Sequence, residues 1–424
     1  MKQTLLILMA VAFSLCLAVT TGCQTASPSS GSTEPPTKTK AQIEAEKKAF
    51  AETKAKAEQG YAAAQSNLGV MYAKGQGVEQ DFKEAFKWNQ KAAEQNNSTG
   101  QYTLGFMYHQ GQGVEQDFKE AVKWYQKAAD QGFAEAQNNL GVIYRDGTGV
   151  DQDYAKALEW YRKAAEQNEP FAQSGLGGMY RDGKGVEQDY AKALEWYRKS
   201  AEQGNADGQS GLGGMYHDGT GVKQDYAKAV EWYRKSAEQG NADGQGILGF
   251  MYNKGQGVEQ DFKEAFKWNQ KAAEQNNSTG QYNLGRSYQK GLGVEQDLKE
   301  AVKWYQKAAD RGYATAQYNL GVMYGKGQGV EQDFKEAFKW YQKAADQGYA
   351  DAQNNLGVMY GFGKGTEQDY VTAYAWASIA ITNRNKGTPR FKSEFLEPKM
   401  TVDQIAKAEE LVKEMVKKNP KLLK

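Results

Sequence analysis

The chain has 424 residues, 53 of them basic and 52 acidic, for a net charge of +1. So even a balance supplies no global field, and it argues against nucleic acid or a strongly charged partner. Both cysteines fall within the first 23 residues, which excludes disulfides and cysteine metal sites from the body of the chain.

In chain order, Lys2 precedes an apolar run from Leu5 to Val19. Such a run is short for a membrane span and right for the apolar region of a secretory signal. "TTGC" at 20–23 follows it and resembles a bacterial lipobox. That resemblance implies lipidation of Cys23; Gln24 after it, rather than Asp, resembles an outer-membrane address. Residues 1–23 are therefore expected to be a lipoprotein signal peptide, with an ordinary signal peptide as the alternative. The mature protein would then be anchored in the cell envelope by its lipid, facing the periplasm or the outside. Residues 24–40, mostly Ser, Thr and Pro, read as a flexible linker. Residues 41–60 read as an amphipathic capping helix, with Glu52 where later helices carry Trp.

From there the chain repeats itself. "GVEQDFKEAFKWNQKAAEQNNSTGQY" occurs at 77–102 and again, letter for letter, at 257–282. Leu68 and its eight successors, each followed by Gly, are spaced by 36 residues, and all nine tryptophans from Trp88 to Trp376 keep the same step. A fixed period of this length marks a solenoid. Each unit predicts two helices, a helix A over 62–74 and a helix B over 82–94 in the first repeat. Ala64, Leu68, Met71 and Tyr72 form the buried stripe of helix A. Gly75 and Gly77 mark a turn needing positive φ, and the invariant Gly69 implies close backbone packing. Asp81 is the N-cap of helix B, and with Glu84 it predicts a capping box. Nine repeats span 61–381. Residues 382–424 add a linker and a closing helix over 401–418, which opens with a Thr401–Gln404 capping box.

"AEAQNNLG" at 134–141, "VDQDYAKALEWY" at 150–161 and "MTVDQIAKAEELVKEM" at 400–415 resemble the Sel1-like repeat family, kin of the tetratricopeptide repeat. The resemblance covers about residues 41–418. It implies an all-α fold: a right-handed α-solenoid of nine 36-residue helix-turn-helix repeats with helical caps, its concave wall lined by helices A. It also implies a non-catalytic scaffold that binds partner proteins.

Catalytic chemistry is scarce. "SYQK" at 287–290 matches S-x-x-K, but its companion motifs are missing and Ser287 stands where other repeats place Met or Ile. His109 and His217 lie three repeats apart, too far to share a metal, and neither a cofactor nor an enzyme activity is expected. The candidate site is the helix-A wall opposite the Leu68 stripe. One row carries Asn67, Asn139, Asn283, Asn319 and Asn355, whose amides could bind a partner's backbone or tie adjacent helices together. Phe106, Phe250, Tyr102, Tyr282 and Tyr318 add apolar and aromatic surface toward the ends. His109, Arg145, Arg181 and His217 add cationic groups, partly offset by Asp146, Asp182 and Asp218, around a floor of Gly178 and Gly214. This predicts a groove for a protein or peptide with acidic residues at its middle. The alternative is a peptidoglycan or glycan binder, in which Tyr102 and Tyr282 would stack on sugars.

Overall fold

The computed structural model describes residues 39–384 and 391–423. The expected signal peptide, with Cys23, and residues 24–38 of the expected linker lie outside the described residues. Helix A of the first repeat spans Ala62–Lys74 and helix B Phe82–Glu94, the predicted limits. The same pair recurs through all nine repeats, to Ala350–Phe362 and Tyr370–Arg384. The described residues contain no strand, and the fold is an α-solenoid.

Local chemistry explains why each helix begins and ends where it does. Asp81 caps helix B by accepting from the backbone N–H groups of Lys83 and Glu84 at 2.9 and 3.0 Å. The predicted capping box does not form. The backbone N–H of Asp81 already donates to the Tyr72 carbonyl of helix A, at 3.0 Å. Glu84 is thus left to accept from Trp88 Nε1 at 3.1 Å. Gly75 ends helix A in the left-handed region at φ 63°, and Gly77 follows at φ 71°. A Cβ on Gly77 would also fall 2.3 Å from the Glu46 carbonyl oxygen of the preceding helix.

Consecutive repeats are stapled by a glutamine ladder. In the third repeat Gln137 donates to the Ala129 carbonyl of the repeat before it at 3.0 Å, and accepts from Gln167 of its own helix B at 2.8 Å. Buried alanines of helices B, such as Ala157 and Ala193, share a core cluster with Leu176 and Leu212, residues of the Leu68 type on helices A. In the first eight repeats the invariant Gly69 row is pressed first by a side chain of its own helix B, whereas at Gly357 a Cβ would meet backbone, the Ala373 carbonyl oxygen at 3.1 Å. A Cβ would come within 2.2 Å of Asn89 at Gly69, and within 2.9 Å of the Tyr125 ring at Gly105. Each of the first eight tryptophans holds the ammonium of the lysine three residues on, 4.2 Å above the ring for Trp88 and 3.8 Å for Trp340.

A helix lies at each end of the described array. Lys40–Glu58 forms the first helix behind a Thr39–Gln42 capping box, with Glu52 exposed. Val402–Lys418 forms the last behind Thr401 and Gln404 and packs on Tyr370–Arg384. Along much of the array helices A touch helices A of the next repeat, while adjacent helices B make no contact of that extent. The A row therefore lies on the tighter, inner side of the superhelix.

A central cavity in the inner wall

The inner wall differs along its length because residues at three helix-A positions change size. In the second, seventh and eighth repeats Tyr102, Tyr282 and Tyr318 lie over Tyr125, Tyr305 and Tyr341 of their own helices B, with ring centroids 5.8 Å apart in each pair. Each also meets the first aromatic of the next repeat, Phe133, Tyr313 or Tyr349, at 5.1–5.2 Å. In the middle of the array the covering residue shrinks to Asn138, Ser174 and Ser210, and the floor to Gly175, Gly178, Gly211 and Gly214. Tyr161, Tyr197 and Tyr233, which lack that aromatic cover and stay buried beneath glycine backbone, line a cavity of about 860 Å³.

The wall residues expected from the sequence divide into three groups. Tyr102, Phe106, Asn139 and Asn283 are buried, and Tyr282, Tyr318 and Phe250 are half-buried in the packing. The aromatic ends of the expected groove are thus largely core: a helical wheel gives helix A two faces, but here it meets its own helix B, the preceding helix B and the neighbouring helix A.

The asparagine row is mostly structural. Asn283 donates to Asn269 of the preceding repeat at 3.3 Å, and Asn319 and Asn355 hydrogen-bond the Tyr305 and Tyr341 hydroxyls. Asn67 alone of the row is exposed. Asn139 borders the cavity.

Of the four expected cationic residues only Arg145 and Arg181 line the cavity, and both are already engaged. Arg145 donates twice to Asp146 at 2.7 and 2.9 Å, and Arg181 to Asp182 at 2.7 Å; both hydrogen bonds hold the guanidinium charged. His217 Nδ1 lies 2.6 Å from Asp218, with its ring edge-on to Tyr226. His109 packs edge-on against Phe118, and burial lowers its pKa. The expected cationic centre is therefore neutralised by its own neighbours.

Sequence reasoning did not single out Asp207 and Asp243, which border the cavity from the first turns of their helices. Asp207 accepts from Asn241 at 2.7 Å and Asp243 from Asn277 at 2.6 Å. Burial, and then the charge of Asp243, raise the pKa of Asp207. The signal was legible in the row Ala63, Thr99, Glu135, Phe171, Asp207, Asp243, where two carboxylates follow each other one repeat apart. The sequence also gave no warning that the Tyr161 hydroxyl is orphaned. The Tyr305 hydroxyl donates to Gln289 at 2.9 Å and also meets Asn319. The residues matching these around Tyr161 are Arg145, which is turned to Asp146, and Gly175, and the Tyr161 hydroxyl makes no hydrogen bond among the described residues.

With this geometry in place, the comparisons decide the family. The Sel1 repeat matches nine consecutive windows that run without a gap from 62–97 to 350–385. The chain belongs to the Sel1 repeat family. A solved Sel1 repeat protein from Oxalobacter formigenes is 35% identical, with a TM-score of 0.52 over 57% of this chain and 96% of that one. A solved protective antigen of uropathogenic Escherichia coli strains, displaying an SLR fold, is 37% identical, with a TM-score of 0.46 over 88% of this chain and 96% of its own. No curated protein matches. Sel1 repeat proteins are in general protein-interaction scaffolds rather than catalysts. The S-x-x-K match fits that background: Ser287 is buried in the core of its repeat, whereas Lys290 is exposed.

Proposed function

We propose that this Sel1 repeat chain is an adaptor that holds a segment of a partner protein along its inner wall, centred on the third to sixth repeats. We further propose that Cys23 carries a lipid and tethers the array to the bacterial cell envelope, the outer membrane being the address that Gln24 implies.

The observation that carries the wall reading is Gly178. A Cβ there would meet only the Tyr197 hydroxyl, at 3.4 Å, an ordinary contact. At the adjacent Gly177 it would strike the Tyr197 ring at 2.8 Å. Packing therefore accounts for Gly177 and leaves Gly178 unexplained, even though glycine inside a helix costs about 1 kcal/mol relative to alanine. What Gly178 does provide is the open floor of the cavity. Against a glycan reading, the rings such a ligand would need are committed: Tyr102 is buried between Tyr125 and Phe133, and Tyr282 stacks on Tyr305 and Tyr313.

The test is a cross-linking pull-down from envelope extract with the native chain beside Ser174→Tyr plus Ser210→Tyr, which restores the cover seen in the end repeats. A protein captured by the native chain and lost by the variant supports the reading. Glycan fragments recovered equally with both would replace it.

A further inference from the structure

The cavity borders a second one, of about 690 Å³, formed where the helix B to helix A turns of the fourth to seventh repeats meet. Phe171, Asp207, Asn241 and Asp243 line both. The two hollows thus form one trough along the inner wall, with two carboxylates at its junction. Each carboxylate gives an oxygen to the N-cap asparagine of the next repeat, and neither forms an ion pair among the described residues. This sets them apart from Asp146 and Asp182, which hold arginines. Asp243 repels Asp207, which Arg145 attracts only through space, so the pair favours a further cation between them and repels an acidic segment.

A second observation lies at the other end of the cavity. Asn138 and Asn139 are only 6% and 3% exposed and Tyr161 only 1%, and all three line the cavity. The Asn138 Oδ1, the Asn139 Nδ2 and the Tyr161 hydroxyl find no hydrogen-bond partner among the described residues. Buried polar atoms left unpaired are destabilising, so a ligand that pairs them gains by it. An acceptor, a donor and a hydroxyl that can be either are the complement of a peptide group, which offers one N–H and one C=O.

We infer that the trough receives an extended polypeptide segment bearing a lysine or arginine, its cationic end between Asp207 and Asp243 and its main chain on Asn138, Asn139 and Tyr161. The inference rests on the adaptor reading above and names the chemistry of the partner at that site. Asn138 and Asp207 belong to the third and fifth repeats, two layers or about 20 Å apart. At about 3.3 Å per extended residue, roughly six residues separate the main-chain contact from the basic side chain.

The experiment pans a random 12-residue peptide library displayed on phage against the full chain in EDTA, then measures synthetic winners by fluorescence polarisation. Winners should carry lysine or arginine. Asp207→Asn plus Asp243→Asn should weaken them at least tenfold, and norleucine in place of the peptide's basic residue should do the same on the native chain but little on the variant. Asparagine keeps the oxygen that accepts from Asn241 and Asn277, so the double variant should melt no lower than the native chain. Winners that bind the native chain and the double variant alike, yet are lost on Ser174→Tyr plus Ser210→Tyr, would overturn the cation assignment and leave the adaptor reading standing. Winners indifferent to both variants, or no winners at all, would overturn both.

Discussion

Gly177 and Gly178 are neighbours in one helix, and replacing each with alanine separates packing from function. The backbone gain is the same for both, up to about 1 kcal/mol for removing glycine from a helix interior. At Gly178 nothing opposes it, because the new Cβ meets the Tyr197 hydroxyl at 3.4 Å. Gly178→Ala should therefore stabilise the chain by up to about 1 kcal/mol. At Gly177 the Cβ would lie 2.8 Å from Tyr197 Cδ1, in a ring that is itself buried. Overpacking of this kind costs about 1–3 kcal/mol, so Gly177→Ala should be net destabilising or at best neutral. Urea unfolding of the full chain, followed by far-UV circular dichroism, reads the difference as midpoints moving in opposite directions. Unfolding of a repeat array need not be all-or-none, so the comparison is of midpoints at unchanged slope. If Gly178→Ala lowers the midpoint as far as Gly177→Ala does, Gly178 is a packing residue. The cavity would then be a by-product of stacking and the argument for a site would fail.

Three further outcomes are expected. Burial pushes the pKa of the Glu169 carboxyl from its ordinary 4.5 up to about 7. Its contribution is thus fully present below pH 4.5 and lost as pH rises through about 7, so Glu169→Gln should gain up to about 3 kcal/mol relative to the native chain between pH 4 and pH 8. Parallel pH profiles in urea titrations would refute this. Gln239→Ala removes the amide that donates to buried Gln209 at 2.7 Å, and should cost about 1–3 kcal/mol in the same assay; a loss below the error of the midpoint would remove the ladder from the account. Asn319→Ala removes one neighbour of the Tyr305 hydroxyl, which keeps its donation to Gln289 at 2.9 Å, so it should cost no more than about 1 kcal/mol and leave partner affinity within twofold, because the outer asparagines brace the wall. A large loss of binding at unchanged stability would return that row to the site.

Much of the fold was legible because the sequence states it nine times. The limits of helices A and B follow from the glycine pair after each helix A and the aspartate before each helix B, whose geometry is local. What failed was set by neighbours in space. The Asp81–Glu84 box was unavailable because Tyr72 takes the cap N–H, a contact between two helices that no four-residue motif encodes. Tyr102 and Phe106 were assigned to the open wall by a wheel that cannot represent a third packing partner. Asp146 and Asp182 were legible as a partial offset to Arg145 and Arg181, but not the direct hydrogen bonds at 2.7 Å that engage both guanidinium groups. By contrast, the change from large to small residues at the wall's centre was visible at Gly178 and Gly214. Its consequence, a Tyr161 without the aromatic cover or the asparagine, required the stacking of one repeat on the next.

The central claim is that a partner segment lies in the trough of the third to sixth repeats. The most direct measurement places a photo-reactive benzoylphenylalanine at Ser174, on the cavity rim, and another at Asn67, on the exposed wall of the first repeat, and irradiates each in envelope extract. A segment held in the trough should give a cross-linked partner from position 174 that is absent from position 67 and is competed away by a lysine-bearing peptide selected on the native chain. A partner captured equally from both positions, or from position 67 alone, would contradict it.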